Sequence, residues 1–197
     1  MLGVYFDEYL SLDKHINILC AKLTRANFCI RRVSHKLSIK SLKCLYYALF
    51  HPHILYCINI YSCTSDKNIK RIKILQKICI RMINKAKINA HTENLFKISS
   101  ILPSKHLITL NKLLFMHSIC YQYSPTSFND VFKVNSNNEN YNLRTRALFK
   151  LPNVRLETFK KFPLYSLPFT WNNAGDVTFQ TDRYTYFPSF TKKLIFI

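Results

Sequence analysis

Glycine is almost missing from this chain, with 2 among 197 residues. A Rossmann domain, a P-loop or a tight-turned β-barrel needs several glycines in strained turns, so the shortage argues against all three. Acidic residues are also short: 10 Asp+Glu stand against 29 Lys+Arg, a formal charge of +19. Those few carboxylates do not pair into a catalytic set. Asp7 and Glu8 are adjacent at a strand end, so their side chains diverge. Asp13, Asp66, Glu93 and Glu157 are isolated in sequence, and several read as caps or first-turn residues. A polymerase holds two metal ions with carboxylates, and no such trio is present. A Ser or Cys nucleophile needs a base, an orienting group and an oxyanion loop. No elbow motif accompanies the histidines, so no catalytic residue is assigned.

No CxxC pair occurs among the 7 cysteines, Cys20, Cys29, Cys44, Cys57, Cys63, Cys79 and Cys120. Most fall in apolar helical patterns, which favours buried, reduced thiols of an intracellular protein over disulfides or zinc. No basic n-region marks a signal peptide after Met1. No apolar run reaches the ~18 residues of a membrane span. The longest, Cys44 to Cys63, is interrupted by His51, Pro52, His53 and Asn59.

What is present is helical and basic. A positive excess this large repels itself unless an anion is near. Nucleic acid is the commonest such partner, through counterion release, and an anionic membrane surface is the second. Part of the excess reflects a composition rich in Ile, Lys, Asn and Tyr, as an A/T-rich coding sequence gives.

Leu2 to Phe6 reads as a short strand without a partner in the chain. Ser11 is placed as N-cap of a helix to about His35, with Ile16, Leu19, Cys20, Leu23, Ile30 and Val33 on one side. Arg31 and Arg32 are among its basic positions. Ser38 caps a second helix bearing Leu42, Leu45, Tyr46 and Leu49. Pro52 forces a break or kink and starts a third helix through Ile60. Ser65 or Asp66 caps a fourth, to about Asn84. Its Ile69, Ile72, Leu75, Cys79, Met82 and Ile83 cluster on one face. Lys70, Lys73, Lys77 and Arg81 cluster on the opposite one. No acid follows Asp66 in this helix, so the i,i+4 ion pairs of a solvated face are absent. The basic face therefore looks built for an anion, and the competing reading is a merely solvated lysine face.

His91 to Ser99 reads as a short helix capped by Thr92. Lys105 to about Tyr123 reads as another, with Leu107, Leu110, Leu114 and His117 on one face and Pro125 at its end. A helical turn is expected near Phe128 to Phe132. Asn135 to Asn142 reads as a loop or hinge, and the rest as an irregular tail with short strands. His51-Pro52-His53 with Cys57 resembles a metal site only superficially, because the two histidines flank a helix-starting proline and point apart. Arg144 and Arg146 share one face of an extended segment and suit phosphates, with Tyr141 free to stack on a base or to dock the linker.

Leu2-Gly3-Val4 with Asp7, Leu10-Ser11 and His15-Ile16 is similar to the segment after the catalytic core of jockey-like, LINE-type (non-LTR) retrotransposon reverse transcriptases. Leu45-Tyr46, His51-Pro52-His53 and Tyr56-Cys57 resemble the thumb of that family. Leu75-Gln76-Lys77 with Arg81 and Ile83, Ala90-His91-Thr92 and Leu95-Phe96 continue it in order. Tyr141-Asn142, Arg144, Arg146, Trp171-Asn172 and Phe190 with Lys192, Lys193 and Leu194 look like the tail. Asn173-Ala174-Gly175 departs from the usual Ser-Leu-Pro after Trp-Asn, and the Phe/Tyr-x-Asp-Asp strand is absent.

The resemblance implies a mainly α fold, a helical thumb-like bundle over 11–134. An orphan palm-edge strand within 1–10 precedes it and an irregular tail over 135–197 follows. It implies a reverse-transcriptase (RNA-directed DNA polymerase) fragment cut off downstream of the catalytic aspartates, its palm and fingers missing upstream. Such a thumb grips the RNA–DNA template–primer duplex. The family's Mg is a cofactor of the complete enzyme, and this chain holds none of its ligands. No small-molecule substrate is implied, and the location is the nucleus or a cytoplasmic ribonucleoprotein. The residues expected on phosphates are Lys70, Lys73, Lys77 and Arg81, then Arg31, Arg32, Arg144 and Arg146. The rival readings are a basic scaffold or membrane-surface protein, and a decayed transposon copy without function.

Overall fold

The computed structural model describes residues 3–133 and 149–174. Helix dominates them, and no strand occurs among them. The helices are α1 (Asp13–Val33), α2 (Ile39–Leu45), α3 (His51–Leu55), α4 (Ile58–Tyr61), α5 (Asp66–Ile83), α6 (Thr92–Ser99), α7 (Ser104–Cys120), α8 (Ser127–Val131) and α9 (Pro163–Asn172). The chain divides into two compact units, and the division falls inside α7, after Ile108.

In the first unit α1 packs along α5. Their apolar stripes supply Ile16, Leu19, Leu23 and Ile30 from one helix and Ile72, Cys79, Ile80 and Ile83 from the other, all buried. Polar side chains fix the pairing. Thr64 donates to the Ser11 carbonyl at 2.9 Å, Asn68 donates to Asp13 Oδ1 at 2.5 Å, and Arg71 donates to Asn17 Oδ1 at 2.8 Å. Asn27 Nδ2 donates to the Leu75 carbonyl at 3.0 Å. These partners rise together along both helices, so α1 and α5 start from the same end.

The start of α1 differs from expectation. Residues 3–6 lie in no regular element, so the described part of the expected strand is irregular, while Leu2 is outside the described residues. The Asp7 carboxylate accepts from the Ser11 hydroxyl and, at 3.2 Å, from the Leu12 N–H. Ser11 in turn accepts from the Asp13 N–H at 3.3 Å, with Leu12 at the N-cap position. Asp7 thus shares the work assigned to Ser11 alone, and the Ser11 hydroxyl holds its carboxyl below the usual carboxylate range.

Ser38 caps α2 as expected, accepting from the Ser41 N–H at 3.2 Å. Pro52 starts the third helix as expected, but no break precedes it. Tyr46–Phe50 widen into one π-helical turn that leads directly into α3, where Pro52 occupies the first turn and needs no N–H donor. The break comes after Leu55, at Cys57, whose φ is 54°. There the Tyr61 hydroxyl donates to the Ile54 carbonyl and folds α4 back on α3.

The glycine shortage has a structural consequence. Helices α5, α6 and α7 each end in a Schellman turn, with Lys85, Ser100 and Gln122 at the left-handed position glycine normally takes. The closing bonds are Ala86 N–H to the Arg81 carbonyl, Ile101 to Phe96 and Tyr123 to Ser118, at 2.9, 3.1 and 2.9 Å. A side chain at such a position costs roughly 1–2 kcal/mol.

In the second unit Met116, Ile119, Phe132, Phe149 and Leu167 form a buried cluster with Phe115, Phe128 and Trp171 against it. Asn172 fastens the Phe149 backbone, accepting its N–H at 3.2 Å and donating to its carbonyl at 2.9 Å. The described part of the tail is thus not the irregular, strand-bearing segment expected. It holds a short 3-10 turn, Phe159–Lys161, and α9. Prolines misled that expectation: Pro163 sits in the first turn, where its fixed φ favours helix, and Pro168 is buried inside α9. The loop at Asn135 to Asn142 lies outside the described residues.

All the cysteines are free thiols. Only Cys20 and Cys79 are buried, whereas Cys29, Cys44 and Cys120 are exposed, so the burial expected of most of them holds for two. Burial pushes the Cys79 thiol up to about 12. Among the described residues, no helix is long and apolar enough to cross a membrane.

Candidate functional site

The rotation of α5 about its axis sets the site. Its buried stripe is Asn68, Ile72, Gln76, Cys79, Ile80 and Ile83. Ile69, Leu75 and Met82, expected in the core, are only half-buried. Gln76, fully buried, lies at the centre of that stripe. It donates to the Tyr46 hydroxyl at 2.9 Å and the Leu102 carbonyl at 2.8 Å, and accepts from the Ser104 N–H at 2.6 Å. The last bond satisfies a donor at the start of α7 that the helix itself leaves open. One side chain therefore fixes where α7 begins relative to α5.

With Gln76 inward, Lys70 and Lys73 are exposed and Lys77 and Arg81 half-exposed. Lys73, Lys77 and Arg81 line one wall of a cleft of about 680 Å³. Lys97 from α6 and Lys105 and His106 from the first turn of α7 also line it, together with the segment 89–92. Arg81 builds the site as well as charging it, since its Nε donates to the Ala90 carbonyl at 3.0 Å and holds that segment against α5. Asn84 Nδ2 reaches Ser99 Oγ at 2.7 Å and ties the end of α5 to the end of α6. Glu93 is the acidic residue lining the cleft. Among the described residues no ion pair engages Lys70, Lys73 or Lys77. The N-terminus of α6 borders the cleft at His91 and Thr92, and its partial positive charge adds to that of the cations. Thr92, expected as the cap, is buried within the first turn, and His91 holds the N-cap position without a side-chain bond.

The expected phosphate-binding residues are thus distributed unevenly. Lys73, Lys77 and Arg81 converge in the cleft, and Lys70 extends their row on α5 outside the cleft lining. Arg31 and Arg32 lie in the last turn of α1, where Arg31 lines a separate groove on the other side of Arg81. Arg144 and Arg146 lie outside the described residues. Lys97 and Lys105 were missed. Each is an ordinary surface lysine of its own helix, and the Gln76, Arg81 and Asn84 bonds bring them into one cleft with Lys73 and Lys77.

The histidines of the His-Pro-His segment part company. His51 packs edge-on against Tyr47, with ring centroids 5.1 Å apart, while His53 borders a cavity of about 20 Å³ with His15, Lys22 and Tyr56. Among the described residues no group of three or more His, Cys, Asp or Glu side chains is placed to hold a metal ion. No family model matches the chain, and no match to it was found among curated proteins or solved structures.

Proposed function

We propose that this chain is the thumb region of a non-LTR retrotransposon reverse transcriptase and binds an RNA–DNA template–primer duplex through its backbone. Its catalytic aspartates, palm and fingers belong to a parent polymerase, and the binding unit is the helical bundle from Ser11 onward. The reading rests on one observation above the rest: the acid-free row Lys73, Lys77 and Arg81 faces a cleft whose other walls carry Lys97 and Lys105. A row of cations at one-turn spacing suits regularly spaced phosphates and carries no sequence information, as a thumb requires. The order of motifs along the chain supports the family reading independently of the cleft.

Binding of an RNA–DNA hybrid measured against salt tests it. Changing Lys70, Lys73, Lys77 or Arg81 to Ala should lower the log–log salt slope by about 0.7–0.9 for each phosphate that the variant no longer neutralises. An unchanged slope in correctly folded variants removes these residues from the interface. Exposed Ile74 and Ile78 on α5 favour the rival reading, a membrane-surface protein. Binding to anionic liposomes without binding to the hybrid would establish that rival instead.

A further inference from the structure

We propose that the groove on the other side of Arg81 holds an unpaired nucleotide of the same nucleic acid, its base stacked on Phe28. The proposal rests on the duplex reading above and adds a second ligand chemistry to it. The groove, about 750 Å³, runs between the C-terminal halves of α1 and α5. Leu75, Ile78 and Met82 give it apolar walls. Phe28 lines it yet remains 59% exposed. The Arg32 guanidinium lies 5.6 Å from the centroid of that ring. An exposed ring braced by a guanidinium is a stacking platform.

One further feature narrows the occupant. The charges lining the groove, Arg31, Arg81 and Lys85, are all positive, and no acid lines it. The occupant thus has a flat apolar face and a nearby anion. A nucleobase with flanking phosphates has both. Because Arg81 lines both the cleft and the groove, a strand leaving a duplex in the cleft reaches the groove past a single side chain.

Fluorescence anisotropy tests the proposal with three probes: a blunt RNA–DNA hybrid, the same hybrid with a single-stranded RNA extension of about four nucleotides, and the single strand alone. The extension should tighten binding about tenfold, the scale of one stacked base. Phe28→Ala should abolish that gain and leave blunt-hybrid affinity unchanged, and Phe28→Trp should restore or exceed it. Circular dichroism confirms that both variants fold. An extension that adds nothing, or a gain that survives Phe28→Ala, overturns the groove and leaves the cleft standing. Phe28-dependent binding of the single strand without hybrid binding sustains the groove and removes the duplex reading. Binding of none of the three probes overturns both. Phe28-dependent binding of an acidic amphipathic peptide in place of any RNA makes the groove a protein-docking surface and overturns the nucleotide assignment.

Discussion

On its inner side α5 carries Gln76, a polar residue with three partners and no exposure to water. On its outer side it carries Lys70, Lys73, Lys77 and Arg81, without an ion pair to the three lysines among the described residues. Polarity serves opposite ends on the two sides. Inside, every hydrogen bond is closed within the protein, so the side chain specifies which elements meet. Outside, like charges at one-turn spacing repel by about 0.2–0.5 kcal/mol per pair, so the row weakens the isolated helix and gains only when an anion arrives. Stability and binding should therefore separate cleanly between the two faces.

Gln76→Leu gives the largest expected effect. It leaves the Tyr46 hydroxyl, Leu102 carbonyl and Ser104 N–H buried without partners, which should lower the urea-unfolding free energy by about 2–4 kcal/mol. A loss under about 1 kcal/mol would mean that water or repacking replaces those bonds, and the contrast between the faces would fail. Arg81→Ala comes next and should do both things at once. Losing the bond to Ala90 should cost about 1 kcal/mol, and hybrid binding should lose salt dependence as well. The double change of Lys73 and Lys77 to Ala should move binding alone. Stability should stay within about 0.5 kcal/mol or rise slightly, while the salt slope falls. A clear loss of stability would show that the outer face is structural.

A smaller effect comes from pH. Burial, and secondarily the charge of Lys22, lowers the pKa of His15 from its ordinary 6.5, and both ring nitrogens lack partners. A lowered histidine pKa means that the unfolded chain takes up the proton first. Stability is then intact above about pH 6.5 and declines as pH falls toward the folded-state value. His51 and His53 are shifted the same way by burial and add to the slope. His15→Leu should flatten part of the decline in urea midpoints between about pH 7 and pH 5. An unchanged slope assigns it to other groups. Smallest of all, Ser100→Gly at the end of α6 should raise stability by about 0.5–1 kcal/mol by relieving the left-handed backbone.

Regular helices were the legible part of the fold. The three- and four-residue spacing of Ile16, Leu19 and Leu23 placed α1, and Ser38 marked the start of α2. Prolines were legible in part, because one residue type both starts helices and breaks them. Pro52 starts α3 as expected, whereas Pro163 starts α9 and Pro168 is carried inside it, in a tail expected to be irregular. The position of α5 about its axis was legible only in part. Reading Leu75 as core follows from hydrophobicity, and no local signal marks Gln76 as buried, because the three partners that offset its burial lie 26 to 30 residues away.

Of the candidate site, the sequence by itself determined the row of cations on α5, because i,i+3 and i,i+4 neighbours share a face in any helix. It determined the shortage of opposing acids as well. What faces that row was decided only by tertiary structure. Lys97 and Lys105 join it because Gln76 fixes the start of α7 and Arg81 holds the segment before α6. Such bonds at helix ends join residues far apart in sequence, and no local spacing records them.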